Sequence, residues 1–479
     1  VARCRNKRNC FGSSPAFRRT LLNGYGNSYS DEAIALFDKW DSLGTPADST
    51  RKTLVNNTIV ALKNEGVWDE LDFLYMWTAH SQTASLVDWK NPTTRTATVG
   101  GNLTFTIDDY WAGGTTGYIN LGYNPTTNGG KFTQNSNSYG CYIVDRVTEN
   151  KRDMAAMTAG IAGIDLMAVS NTGSFFTYNN SATQNLGDSR GGRGLHASKR
   201  TGATTHFNTY GGYNNGTSFT GASSAVENQN WYEFCRSLNG TLGLFTTRKH
   251  RYSFAGSGAF SLYNFNTTIE QYFLNPLGKC PVKRITFDGN SFTANGEYVA
   301  QTLLAINDYA NIDISARGLA GYGTPALITD AQTYVYPFTK NWLTKNIYFL
   351  WELTNDMQLN GASPTTAYAN LVSWCDQLRT AQPDAIIIAG TMLPRGTLTL
   401  RQNDADYYDD TTTNGKIRNH LVQDGHADYI CDVGADLLMG QYLQNTDLTY
   451  YNADTIHPNA TGFQRLVDNY IYPSISAVL

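Results

Sequence analysis

The sequence predicts a multidomain chain: a helical lead-in, then an all-β sandwich or jelly roll, then a parallel α/β unit at the C-terminus. Three observations predict this. The 479 residues exceed a single domain of about 100–200 residues. From about residue 90 to 280, short β-type runs are broken by Gly, Asn, Asp and Thr clusters. From residue 281, strand-like runs alternate with helix-like ones, the pattern of a parallel sheet covered by helices on both faces.

The chain opens with a basic arm, residues 1–29, in which VARCRNKRNCFGSSPAFRR carries Arg and Lys but no acid. It reads as a solvated tail or as an anchoring arm for a partner. Residues 30–90 form the helical segment. Ser30 is placed to cap DEAIALFDKW, whose acids fall in the first turn and whose Ile34, Phe37 and Trp40 share a face. TRKTLVNNTIVALKNEG puts Val55, Ile59 and Leu62 on one stripe and stops at Gly66. VWDELDFLYMWTAH (67–80) is a third helix candidate.

Residues 91–280 are the sandwich, with NLTFTI, GYINLGY, CYIVDRV and SFFTYN as strands and NPTTNGG and GGYNNGT as turns. In residues 281–479, VKRITF, NIDISA, KNIYFLW, DAIIIAGTML and ADYICDVG read as strands. Helices are expected near 292–307, in SPTTAYANLVSWCDQLRTAQ and in the terminal ATGFQRLVDNYIYPSISAVL, with ITDAQTYVYPFTK mixed.

Composition narrows the function classes. Charged residues are only 16%, hydrophobic residues 41% and the net charge −4. These values fit folded domains and argue against a nucleic-acid binder. No run of 18 apolar residues predicts a membrane span, and no apolar run follows the basic start, so no signal peptide is expected. The seven cysteines form no CxxC pair and no Cys/His cluster of metal spacing. Cys4 and Cys10 are the one close pair. Neither a zinc site nor a dense disulfide framework is expected.

Active residues of a parallel sheet collect at the C-terminal ends of its strands. VKRITF runs straight into DGNSFT, which sets Ser291 between a strand and a helix. Its backbone N–H then lies at a helix N-terminus, where negative charge is stabilised. DTIHPNATG puts Asp454 three residues before His457, ahead of the last helix. A short loop there can present His457 to the serine while Asp454 holds the ring. A lone Ser in such a turn is most often a helix cap; the Asp454–His457 pair lifts Ser291 above that reading.

These residues resemble the SGNH/GDSL hydrolase family across 281–479. Ser291 in FDGNSFT matches the first block, Gly321 in RGLAGYG the second, Asn355 in WELTNDM the third, and Asp454 with His457 the closing Asp-x-x-His block. The resemblance implies a three-layer α/β/α fold and ester cleavage, often of acetyl groups on sugars, with no metal or organic cofactor. It implies Ser291, His457 and Asp454 as the triad, and Ser291, Gly321 and Asn355 as the oxyanion hole. Two departures stand out: Asn290 where many members have Asp, and Leu353 where Gly is common.

The region 30–280 resembles concanavalin-like modules of bacteriophage tail fibres, through its helical lead-in, SLVDWKNPT and YSFAGSGAFSLYNF. Together the two resemblances imply an acetylesterase acting on a polysaccharide at a host surface, extracellular or in a virion, with possible virion or homo-oligomer partners for the N-terminal region. The alternatives are a lipase or thioesterase, and a fibre protein whose hydrolase fold is inactive.

Three further features take bland readings. GDSRG at 187–191 contains Ser189 in a G-x-S-x-G pattern, but SATQNL before it and GGRG after it do not make the strand and helix that a nucleophile elbow needs. His420 and His426 read as structural. Asn102, Asn215 and Asn239 begin N-x-Thr triplets of the kind expected by chance in a chain rich in both residues.

Overall fold

The computed structural model describes residues 29–158, 161–171, 174–181, 184–188, 193–210, 213–295, 297–306, 312–337, 340–394, 410–441 and 443–479. The basic arm, apart from Tyr29, and Cys4, Cys10 and Ser189 lie outside these residues.

Two helices open the described chain. Ser30 caps Asp31–Ser42 by accepting from the Ala33 N–H, and Asp48 caps Ser49–Asn64 by accepting from the Arg51 N–H. Gly66, with φ 68°, closes the second. The first helix buries Ala33, Leu36, Phe37 and Trp40. Ile34, expected on that face, is instead exposed, because the buried stripe follows 33, 36, 37 and 40.

The third helix expected at 67–80 is a strand. After a short turn, Leu71–Met76 pairs antiparallel with Lys249–Gly256. All six of its residues are buried. Phe73 and Tyr75 enter one core while Leu74 and Met76 enter another. A strand apolar on both faces has no alternation to betray it, and its unbroken run imitates a helix.

This strand belongs to an eight-stranded sheet whose order is Tyr213–Thr220, Thr205–Tyr210, Gly194–Arg200, Asn137–Ile143, Lys249–Gly256, Tyr110–Ala112 and Thr104–Thr106, with Leu71–Met76 also on Lys249–Gly256. A nine-stranded sheet contains Met154–Thr158, Ile161–Met167, Ser174–Asn179 and Tyr118–Asn120. Its pairs are antiparallel except Arg236–Leu238 on Met154–Thr158. One core takes Tyr139, Cys141 and Ile143 from the first sheet and Met154, Ala156, Ile164 and Leu166 from the second, around Trp111 and Trp231. The alternate residues Tyr142, Leu195, Tyr252 and Phe254 point the other way, onto the two N-terminal helices and the helix Leu262–Ile269.

From Lys283 a five-stranded sheet follows in the order Ile312–Gly318, Lys283–Gly289, Lys345–Trp351, Ile386–Gly390 and Tyr429–Cys431, every pair parallel. Ile347, Phe349 and Trp351 enter a core with the C-terminal helices, while Tyr348 and Leu350 enter another with Thr324–Tyr334 and Pro364–Ala381. The mixed segment 328–340 thus contributes a helix. In chain order the strands run 2-1-3-4-5. The order reverses at the first strand, and the crevice beyond the first and third is where such sheets bind ligands.

Buried charge joins the two parts. The Lys340 ammonium lies 2.8 Å from a Glu270 carboxylate oxygen, on the β-rich side, and 2.8 Å from Asp313 in the parallel sheet.

Candidate active site

The first strand ends at Gly289, and Asn290 turns the chain into the helix Ser291–Asn295. Asn290 Oδ1 accepts from the Phe292 N–H at 2.9 Å, and its carbonyl accepts from Ala294 N–H at 2.9 Å. The turn is tightly covered. A Cβ on Gly318, at the end of the neighbouring strand, would lie 2.0 Å from the Ala294 nitrogen, so only glycine lets that strand approach.

Ser291 Oγ meets His457 Nε2 at 2.8 Å, and His457 Nδ1 meets Asp454 Oδ2 at 2.7 Å. The second Asp454 oxygen accepts from the backbone N–H groups of Ile456 and His457, at 2.9 and 3.0 Å. The loop is closed by Asn452 N–H to the His457 carbonyl and by Asn445 Nδ2 to the Thr455 carbonyl, each 2.9 Å. Asn459 then caps Ala460–Leu466. The Phe292 ring stands edge-on to the imidazole, centroids 5.6 Å apart. Partial burial alone would raise the Asp454 pKa. The hydrogen bonds from the His457 N–H, its ring and the Ile456 N–H outweigh this and hold the carboxyl below its ordinary value. An ionised Asp454 thus faces Nδ1, which leaves Nε2 to exchange a proton with the serine.

Gly321 and Asn355 come together on the neighbouring loops. Gly321 takes φ 80°, and the Asn355 side-chain amide donates to the Tyr322 carbonyl at 2.9 Å. Asp356 accepts from the Thr324 N–H at 2.7 Å, starting the helix Thr324–Tyr334. Leu353 departs from the expected glycine yet keeps a glycine-like backbone, with φ 93°, while its side chain is fully buried.

The sequence reading passed over Glu352. Its buried carboxyl accepts from Asn290 Nδ2 and, at 2.7 Å, from the Asn355 N–H. Burial first, and the facing Asp356 second, push it up to about 8. A Glu closing a buried strand was the available signal.

The other histidines lie apart from this group. His420 pairs with Asp410 at 2.8 Å and His426 with Asp376 at 2.7 Å, both at the surface. In the β-rich part, Cys141, Glu233 and His250 bring potential metal-ligand atoms within 4.8 Å of one another. Both ring nitrogens of His250 already face carboxylates, Glu233 at 2.7 Å and Asp153 at 3.0 Å, and Arg248 also pairs with Asp153. Burial would lower the His250 pKa, but these two acids hold it up to about 9. With both ring nitrogens engaged by carboxylates and Arg248 on Asp153, these side chains form a buried ion-pair network.

No family model matches the chain, and no curated protein matches it. Among solved structures it is similar to a family 3 carbohydrate esterase from Clostridium thermocellum, at 19% identity and TM-score 0.32 over 41% of this chain and 98% of that one. A family 3 carbohydrate esterase from Talaromyces cellulolyticus gives 15%, 0.30, 41% and 97%. A lipolytic protein of the G-D-S-L family from Veillonella parvula gives 18%, 0.29, 41% and 98%. Identities this low leave the side-chain geometry to carry the chemistry.

Proposed function

We propose that this chain is a serine ester hydrolase of the SGNH/GDSL type. One observation carries the reading: His457 bridges Ser291 and Asp454 at 2.8 and 2.7 Å. In the reaction Ser291 Oγ attacks the ester carbonyl carbon and its proton passes to His457 Nε2. The carbonyl π electrons move onto oxygen. The backbone N–H groups of Ser291 and Gly321 and the Asn355 amide hold that oxyanion. The intermediate collapses with loss of the alcohol, which takes the proton from His457. Water then attacks the acyl-enzyme by the same relay and releases the acid.

The proposed substrate is an O-acetylated polysaccharide. Tyr322 supports it: this half-exposed aromatic follows Gly321 and could lie against a sugar. The β-rich part, proposed as a concanavalin-like jelly roll, would bind or present the glycan. The basic arm would anchor the chain to a virion or to further copies, outside the cell. A second reading rests on Leu437, Leu438, Leu443 and Leu448, all exposed in the segment before the Asp454–His457 loop. That surface suits a longer acyl chain.

Acetate release from acetylated polysaccharides, together with rates on p-nitrophenyl acetate and octanoate, separates the readings. Preference for acetyl esters supports the glycan esterase. Preference for octanoate favours the lipase or thioesterase. No turnover on any of them sinks the hydrolase.

A further inference from the structure

We propose that Glu352 is a positioning residue that ties the nucleophile turn to the oxyanion loop, and that Asn290 replaces the family's aspartate because Glu352 is there. The inference rests on the hydrolase reading above.

The geometry is a chain of donors and acceptors with one consistent assignment. The Phe292 N–H donates to Asn290 Oδ1. Asn290 must therefore turn Nδ2 away from it, toward Glu352, where it donates to Oε2. The other Glu352 oxygen accepts from the Asn355 N–H. Asn355 in turn donates its side-chain amide to the Tyr322 carbonyl, beside Gly321. Ser291 stands between Asn290 and Phe292, and Asn355 is a proposed oxyanion donor. One carboxyl thus sets the spacing between the attacking atom and the charge-stabilising loop. Asn290, Glu352 and Asn355 are each about 1% exposed, so water does not substitute for a lost partner. The two strands that deliver them, Lys283–Gly289 and Lys345–Trp351, are paired in parallel with Gly289 opposite Trp351, which puts Asn290 and Glu352 at the same level.

This arrangement makes the Gly-Asn-Ser block a requirement. An aspartate at 290 would remove the Nδ2 donor and set a second buried carboxyl against Glu352. The pair could then bond only by sharing one proton and would carry a buried negative charge that Asn290 avoids. A glutamine at 352 would oppose its Nε2 to Asn290 Nδ2. Flipping Asn290 would only move the clash to the Phe292 N–H. Exchanging both residues restores every bond, with the polarity of the 290–352 bond alone reversed. Asp at 290 accepts from Phe292 N–H and from the new glutamine, whose oxygen accepts from Asn355 N–H.

The test uses the full chain with Asn290→Asp, Glu352→Gln and the double exchange, assayed on p-nitrophenyl acetate beside wild type and Ser291→Ala. Each single change is expected to lower kcat by about 10²-fold, the scale of a misplaced catalytic group, with KM within about threefold. The double exchange is expected to return kcat to within about tenfold of wild type. If a single variant does not fold, the double variant decides. A double variant that is folded but no better than either single one, or that does not fold, overturns the inference, because the exchange preserves each hydrogen bond. Single variants with wild-type kcat overturn it too. If wild type shows no Ser291-dependent turnover, the hydrolase reading falls and takes this inference with it. If that turnover is present and the rescue is absent, only the inference falls.

Discussion

Replacing Leu353 by glycine is expected to leave a more stable protein than replacing it by alanine. Ordinarily the order is the reverse, since glycine in an element costs roughly 0.5–1 kcal/mol relative to alanine through chain entropy. Leu353 has φ 93° and ψ −23° at the start of Thr354–Gln358. An L side chain held in the left-handed region costs about 1–2 kcal/mol. Its side chain is also fully buried, in the core that holds Leu327, Met357 and Trp374. Either truncation forfeits that packing, a loss of about 2–5 kcal/mol. Only glycine releases the strain, so it should come out ahead by about 1 kcal/mol. With a urea slope of about 2 kcal/mol/M, the midpoints should differ by about 0.5 M. The assay is the urea midpoint for loss of esterase activity, which follows the part of the chain carrying the site. Glycine should also keep most of kcat, because it is the residue that the backbone before Asn355 suits. An alanine variant more stable than the glycine one by the usual margin would refute the left-handed backbone, and with it the pose of the third block.

Ser291→Ala and His457→Ala should each lower kcat by at least ~10³, and together by little more, because a triad acts as a unit; initial rates on one chromogenic ester measure both. Asn355→Ala should lower kcat by about 10²–10³, and a loss confined to KM would remove it from the oxyanion hole. Glu352 is held up to about 8 by burial and by Asp356, above its ordinary 4.5. Between those values the folded state keeps a proton that the unfolded chain has released, so this group's stabilising contribution is present below about 4.5 and is lost as pH rises through about 8. Urea midpoints across that window should fall less steeply in Glu352→Gln, and identical slopes would contradict the raised value. Lys340→Met leaves Glu270 and Asp313 as buried acids without their shared cation. It should destabilise by about 3–5 kcal/mol in chemical denaturation, whereas a change under about 1 kcal/mol would mean that the two parts are not joined there.

The legible features were those that repeat a local physical rule. Ser30 announced a cap, Gly66 an ending, and the runs at 283–289 and 345–351 announced strands because their residues are apolar and flanked by turns. Ser291, Asp454 and His457 could be selected in sequence because each sits at an element boundary, and the structure brings the three into contact. Other features depended on partners distant in the chain. Leu71–Met76 read as a helix because a sheet buried on both faces removes the alternation of a strand. Ile34 was misplaced by one position on its helix. The change at Asn290 has no visible reason in the sequence around it, because its partner, Glu352, lies 62 residues away. A glutamate read alone belongs on the surface, and only the pairing of two parallel strands puts this one behind the nucleophile.

The hydrolase reading requires that Ser291 be a nucleophile activated by His457. A fluorophosphonate probe, followed by intact mass and peptide mapping of the full chain, tests it most directly. One phosphonyl group should be added, on the peptide that contains Ser291, at a rate greatly reduced in His457→Ala and with no adduct in Ser291→Ala. An unlabelled wild-type chain, or an adduct that persists in Ser291→Ala because it sits on another serine such as Ser189, would contradict it.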